Sequence, residues 1–469
     1  MNFVVLKNSA TSAFPLCPAK LSKKAQTTLK LLLPLLLIAT VATAQTKHPL
    51  QEAAELGQHI YQHTAPTGLV LVVVRDNEVF MQGYGRTSFQ AKQAPGPDSL
   101  IRLCSLTKIL TTDLFVKLAL DPATKDKVAL TTPLANFAPP NSTVPNLTQK
   151  GPSYRAITLG DLATHTAGLP REIAYPPNGA AHFTFPDYPY RWQWISTYRF
   201  KTQPGYAAHY SNISFDLLAD ALSSAANKPY AQLFAERTAK PLGLRDTTLA
   251  PTADQCARLL QGARNEGECT NTEAAAGSGG MYSTAHDMAR FLQYLLGVAG
   301  MPAQAPQATA VHLLPDQLKY MGGLAHAGTP TGLGLGWVRI GDPATQSRLI
   351  EKTGGGAGFL TYIALNPATH SAIFVAETKG RHYANNLFLE ANDLLLTLNG
   401  LPLLPRNGEE NAPEPIERGR THPVKTKLAT RLKPNHLAHS APAKSSRKTR
   451  THTVKKGKTP TSKTHKKKR

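Results

Sequence analysis

A serine three residues ahead of a lysine, in Leu103-Cys104-Ser105-Leu106-Thr107-Lys108, limits what this chain can fold into more than any other feature. On a helix that spacing puts the hydroxyl and the amine on one face, a turn apart. The amine can then act on the proton of a hydroxyl nucleophile, provided its pKa falls well below the free value of about 10.4. The spacing alone is common and suits a helix N-cap with a solvated lysine just as well. Its weight depends on what else the chain brings to it.

Two further elements agree with it. Tyr210-Ser211-Asn212 precedes an apolar helical run from Ile213 to Leu222. A tyrosine phenol can take or relay a proton when cations surround it, and an amide two residues on can hold a substrate carbonyl. Lys352-Thr353-Gly354 is followed by Gly355-Gly356-Ala357-Gly358. It stands at the end of a strand-like run, residues 347–352, and before another, residues 359–365. A Lys-Thr pair offers a cation and a hydroxyl to a carboxylate, and glycines let a substrate backbone come close.

In this order the three elements resemble the serine penicillin-recognising enzymes, the β-lactamases and penicillin-binding proteins, and in particular their class C β-lactamase-like branch. Leu162-Ala163-Thr164-His165-Thr166-Ala167-Gly168-Leu169-Pro170, Gly277-Ser278-Gly279-Gly280-Met281-Tyr282-Ser283-Thr284 and Gly332-Leu333-Gly334-Leu335-Gly336-Trp337 are similar to further signatures of that branch. The likeness spans roughly residues 50 to 403. It implies an α+β fold: one antiparallel sheet flanked by N- and C-terminal helices, a helix-rich subdomain beside it, and an active-site cleft between.

The resemblance also implies roles. Ser105 would be the acylated nucleophile, with Lys108 and Tyr210 exchanging its proton; which of the two is the base stays open. Lys108 is expected in a dry cleft near Lys352, where burial and a second cation both favour the neutral amine. Backbone amides of Ser105 and Gly355 would form the oxyanion hole, a contribution of roughly 3–4 kcal/mol per donor. Asn212 would hold the acyl amide, and Lys352, Thr353 and Gly354 the substrate's carboxylate end. His165 would order a loop. No cofactor and no metal is expected. The implied substrates are peptidoglycan stem peptides ending in D-Ala-D-Ala, with β-lactams as acylating ligands. Hydrolysis of β-lactams or of esters would use the same residues. A wall-binding protein without catalysis is the reading of another class.

Charge divides the chain. From Arg418 onward it holds 18 Lys and Arg residues and no Asp or Glu, leaving 34 basic against 30 acidic residues elsewhere. The net charge of +22 therefore belongs mainly to the tail. Rich in Pro, Thr, Ser and His, residues 406–469 cannot bury enough apolar surface to fold alone and are expected to be disordered. Their cations should bind anionic polymers in a salt-sensitive way: lipid headgroups, lipopolysaccharide or wall polymers, with no specific nucleic acid expected.

At the other end, Lys20, Lys23, Lys24 and Lys30 precede an apolar run of 11 residues, Leu31 to Val41, and Ala42-Thr43-Ala44 offers a small-x-small cleavage site before Gln45. Residues 1–44 read as a cleavable export signal too short to span a bilayer, which puts the mature chain in the periplasm.

Residues 45–405 remain, ample for a large core. Apolar runs at Gly68–Val74 and Val79–Tyr84 around the turn Asp76-Asn77 predict a hairpin. Residues 349–353, 360–365 and 372–376 predict late strands, and 385–398 a closing helix with Leu387, Leu389, Leu394 and Leu395 on its apolar side. Cys256 and Cys269 enclose 12 residues, a loop compatible with a disulfide in an oxidising compartment. Cys104 is expected to be a small buried hydrophobe.

Overall fold

The computed structural model describes residues 49–145, 155–174, 184–263, 267–302, 306–342, 344–380 and 386–406. The expected export signal and all of the expected tail beyond Arg406 lie outside them.

Strand β1 (Gly68–Arg75) reads Gly-Leu-Val-Leu-Val-Val-Val-Arg and is buried at every position but the last. A strand that is apolar without alternation must be covered on both faces. On one face Leu69, Leu71 and Val73 join Ala53 and Ile60 of α1 (Pro49–Thr64) and the late residues Ala391, Leu394 and Leu395. On the other, Val70, Val72 and Val74 join the core of the helical part.

The hairpin partner is β2 (Glu78–Gly85), and the short pieces that follow are β3 (Ile101–Arg102), β4 (Ala208–His209), β5 (Tyr282–Ser283) and β6 (Met321–Gly322). The late strands are β7 (Pro330–Leu333), β8 (Val338–Ile340), β9 (Leu349–Gly356), β10 (Phe359–Asn366) and β11 (Ser371–Thr378). Seven of them make one antiparallel sheet in the order β2-β1-β11-β10-β9-β8-β7. The first and last strands of the sequence are neighbours within it, Gly68 opposite Thr378 and Arg75 opposite Ser371.

Between β2 and β7 the chain builds the helical part: α2 (Thr107–Leu120), α3 (Leu159–Ala163), α4 (Tyr188–Thr197), α5 (Asn212–Ala226), α6 (Tyr230–Phe234), α7 (Lys240–Leu242), α8 (Ala253–Ala257) and α9 (Ala285–Leu296). Helix α2 is buried around almost its whole circumference, as an evenly apolar helix must be. Helix α10 (Leu387–Leu398) closes the sheet beside α1. Its buried side differs from the expected one, because Phe388 and Glu390 are inside while Leu389 is only half-buried. Antiparallel sheet, flanking terminal helices and a helical subdomain together make the α+β architecture that the motif resemblance implied.

Cys256 and Cys269 are joined as a disulfide with Cα atoms 5.6 Å apart. Among the described residues, no helix is long and apolar enough to cross a membrane.

Candidate active site

Ser105 lies in a 3-10 turn, Cys104–Leu106, that runs directly into α2. Cys104 takes a left-handed φ of 51°, an uncommon conformation for a residue with a side chain, of order 1–3 kcal/mol in cost. Its thiol is buried, donates to the Gly356 carbonyl at 3.4 Å, and burial pushes its pKa up to about 12. It is an inert packing group.

Three residues on, Lys108 is fully buried. Its Nζ donates to Asn212 Oδ1 at 2.5 Å and to the Ser278 carbonyl at 2.7 Å, and lies 3.5 Å from Ser105 Oγ. Burial brings its pKa down to about 7, against the pull of Asp216 and Glu172. As a neutral amine it can spend its two N–H bonds on those two carbonyl oxygens and turn its lone pair to Ser105. Arg171 is a further cation that favours the neutral amine, and the expected neighbour Lys352 lies on the same Tyr210 ring and repels Lys108 as well.

Tyr210 and Asn212 sit where β4 gives way to α5. Ser211 caps that helix, its side chain accepting from the Ser214 amide, so Asn212 is the first helical residue and Tyr210 lies just outside. The Tyr210 hydroxyl donates to Ser105 Oγ at 2.5 Å. Three basic groups surround its ring: Lys108 Nζ at 4.8 Å from the centroid, Arg171 Cζ at 4.9 Å and Lys352 Nζ at 5.3 Å. His165 stacks on it at 4.8 Å, and its Nδ1 accepts from the Ser211 amide at 3.1 Å. Burial, aided by Lys108 and Lys352, holds this imidazole neutral, so it orders the loop and Tyr210. Asn212 uses its other end to donate to the Glu172 carboxylate.

Lys352-Thr353-Gly354 lies inside β9 rather than at its end. Pairing with β10 continues to Gly356 opposite Phe359, and the turn is Ala357-Gly358. Lys352 is buried, which lowers its pKa, and its Nζ donates to the Thr353 carbonyl at 2.7 Å. A Cβ on Gly354 would fall 2.2 Å from Thr361 Oγ1 and 2.9 Å from the Leu103 carbonyl. That glycine serves the contact between β9 and the segment carrying Ser105. Gly355 and Gly356 are the glycines of the run that line a cleft of about 170 Å³ with Ser105, Asn212, Glu172 and Ser278.

A supporting layer was not singled out from the sequence. Asp216, one turn after Asn212 on α5, accepts from the Ser278 amide and hydroxyl, each at 3.0 Å, and so fixes the carbonyl that receives Lys108. Burial raises its pKa to about 7. One turn further, Asp220 accepts from Arg191 Nη2 at 2.6 Å, Arg191 Nε at 3.1 Å and Trp192 Nε1 at 3.1 Å. The i, i+4 carboxylates after Tyr-x-Asn are the only signal that could have pointed to this layer.

The "Beta-lactamase" family model matches residues 50–394. Among curated proteins, the chain is 42% identical over 349 residues to the D-alanyl-D-alanine-carboxypeptidase/endopeptidase AmpH of Escherichia coli (strain K12), covering 73% of this chain and 87% of that one. Among solved structures, a β-lactamase/D-alanine carboxypeptidase from Yersinia pestis, complexed with citrate, superposes with a TM-score of 0.70 at 38% identity, covering 75% of this chain and 98% of that one. A β-lactamase/D-alanine carboxypeptidase from Pseudomonas syringae, at 20% identity and a TM-score of 0.58, covers 75% of this chain and 99% of that one, a likeness of fold alone.

Proposed function

The chain belongs to the β-lactamase family and is a serine hydrolase, and we propose that its reaction is removal of the terminal D-alanine from peptidoglycan stem peptides, with cleavage of cross-links as a related activity. The observation that carries this is the convergence on Ser105 Oγ of the Tyr210 hydroxyl at 2.5 Å and the Lys108 amine at 3.5 Å.

Ser105 Oγ attacks the carbonyl carbon of the penultimate D-alanine while its proton passes to Lys108 or Tyr210. The C–N bond breaks, that proton goes to the departing amine, and free D-alanine leaves. Water then attacks the ester carbonyl, gives up a proton to the same pair, and Ser105 recovers its hydroxyl as the shortened peptide departs. The developing oxyanion is received by the amides of Ser105 and Gly355. Asn212 takes the acyl amide once Glu172 yields its Nδ2. Lys352 and Thr353 hold the terminal carboxylate. A β-lactam acylates the same serine by ring opening.

In the same proposal residues 1–44 are a cleaved export signal, 45–405 the periplasmic hydrolase, and 406–469 a tail that holds the enzyme near anionic envelope surfaces. The 42% identity to a named carboxypeptidase/endopeptidase supports the substrate class.

Mass spectrometry of muropeptides ending in D-Ala-D-Ala tests the reaction. The unmutated protein is expected to remove one alanine, and Ser105→Ala to remove none while keeping the same circular dichroism spectrum. Turnover by Ser105→Ala at the unmutated rate would sink the assignment. Inactivity of both proteins would turn attention to β-lactam or ester hydrolysis.

A further inference from the structure

The terminal helices carry a side-chain cluster that no step of the chemistry above uses. His59 and His63 stand four residues apart on α1, so their imidazoles share a side of the helix. Glu390 of α10 reaches both. His59 Nδ1 lies 3.4 Å from Glu390 Oε2, and His63 Nδ1 lies 3.4 Å from Oε1. The ring centroids are 3.7 Å apart, and one donor atom from each of the three residues lies within 4.8 Å of the others.

We propose that His59, His63 and Glu390 form a Zn²⁺ site that pins the N-terminal helix to the C-terminal helix. The distances favour a shared ion over simple ion pairs. A charge-assisted N–H···O⁻ bond closes to about 2.7–2.9 Å, shorter than either contact here. Two donor atoms bonded at about 2.0–2.2 Å to one tetrahedral ion stand about 3.3–3.6 Å apart; each imidazole keeps 3.4 Å from its own oxygen of Glu390, so a shared ion would take both carboxylate oxygens.

The donor chemistry selects the metal. Two imidazoles and a carboxylate suit Zn²⁺ and its transition-metal neighbours, whereas Mg²⁺ and Ca²⁺ prefer sets made of oxygen alone. Glu390 is 9% exposed and fixed by the packing of α10, while His59 and His63 are 52% and 49% exposed. A firm carboxylate below and open imidazoles above leave the outward side of the ion to water. Because α1 and α10 cover the sheet face opposite the helix that carries Ser105, the ion would serve structure. No metal was expected from the sequence, in which the third ligand lies 327 residues from His63.

The test uses the full chain without added histidines, stripped by chelator and titrated with Zn²⁺ in a calorimeter and in thermal unfolding. The chain has 16 histidines, any of which can take up Zn²⁺ non-specifically, so the comparison is with His59→Asn/His63→Asn and, separately, Glu390→Gln. The unmutated chain is expected to bind one more equivalent of Zn²⁺ than the double variant and to gain several degrees in Tm that the double variant does not. Glu390→Gln, which keeps the side chain's shape, is expected to weaken that site by more than about 10-fold, the loss typical of even an outer-sphere partner. Equal stoichiometry and equal Tm response in the unmutated chain and the double variant, or an unchanged Zn²⁺ affinity in Glu390→Gln, would overturn the site.

Discussion

Lys108 and Asp216 share the pH dependence of this site. The Lys108 pKa falls to about 7 because burial penalises the ammonium, while the Asp216 and Glu172 carboxylates pull the other way. Below that value the amine is charged and accepts no proton, so kcat/KM for D-alanine release is expected to rise with pH through about 7. Asp216, raised by its own burial to about 7, titrates in the same range, and the acid limb belongs to the pair until a variant divides it. Asp216→Asn removes a charge that raises Lys108, and the amide can still meet Ser278. The acid limb is therefore expected to move to lower pH in a kcat/KM profile. Disappearance of the limb would assign it to Asp216 instead. At this scale the sequence showed Ser105, Lys108, Tyr210 and Asn212, because each pair falls within one helical turn or one cap. Asp216 with Ser278, and Arg171 beside Tyr210, were hidden because only folding brings those residues together.

Among the elements, β9 has the least freedom. Gly354 has no side chain because Thr361 Oγ1 and the Leu103 carbonyl occupy that space, themselves hydrogen-bonded at 2.9 Å. The strand thereby lies against the turn that presents Ser105. Gly354→Val would force β9 away from Leu103, with overpacking of about 1–3 kcal/mol. Displacement of Gly355 by about 1 Å should cost about 100-fold in kcat/KM. Steady-state kinetics with a circular dichroism melt checks both, and an unchanged kcat/KM would show that the contact does not set the site. The glycine run was legible in the sequence, but its use was not. Glycines there suggested a turn and room for a substrate backbone, whereas the first of them admits the protein's own Leu103 and Thr361. Strand pairing hides such contacts, since Gly354 meets Thr361 through register and Leu103 through packing.

For the whole molecule, short apolar runs and turn residues revealed the β1–β2 hairpin and the late strands. They could not reveal that β1 pairs with β11, 310 residues away at Gly68 and Thr378. That closure entered through the resemblance of motifs, and it matters for function because it brings β9 and its Lys352 alongside the turn that carries Ser105. Charge works on the same scale. The residues before Arg418 carry 34 basic and 30 acidic side chains, so a chain ending at Glu417 loses 18 positive charges and no negative one. If that tail holds the enzyme near anionic surfaces, the shortened chain should keep its kcat/KM on soluble muropeptides. It should also lose most of its co-sedimentation with vesicles of anionic lipid. The full chain's own binding should fall steeply as salt rises, since each neutralised anionic group releases counterions. Vesicle binding that survives the truncation would place the attraction in the catalytic domain, whose charges nearly balance, and would remove the tail from the account of localisation.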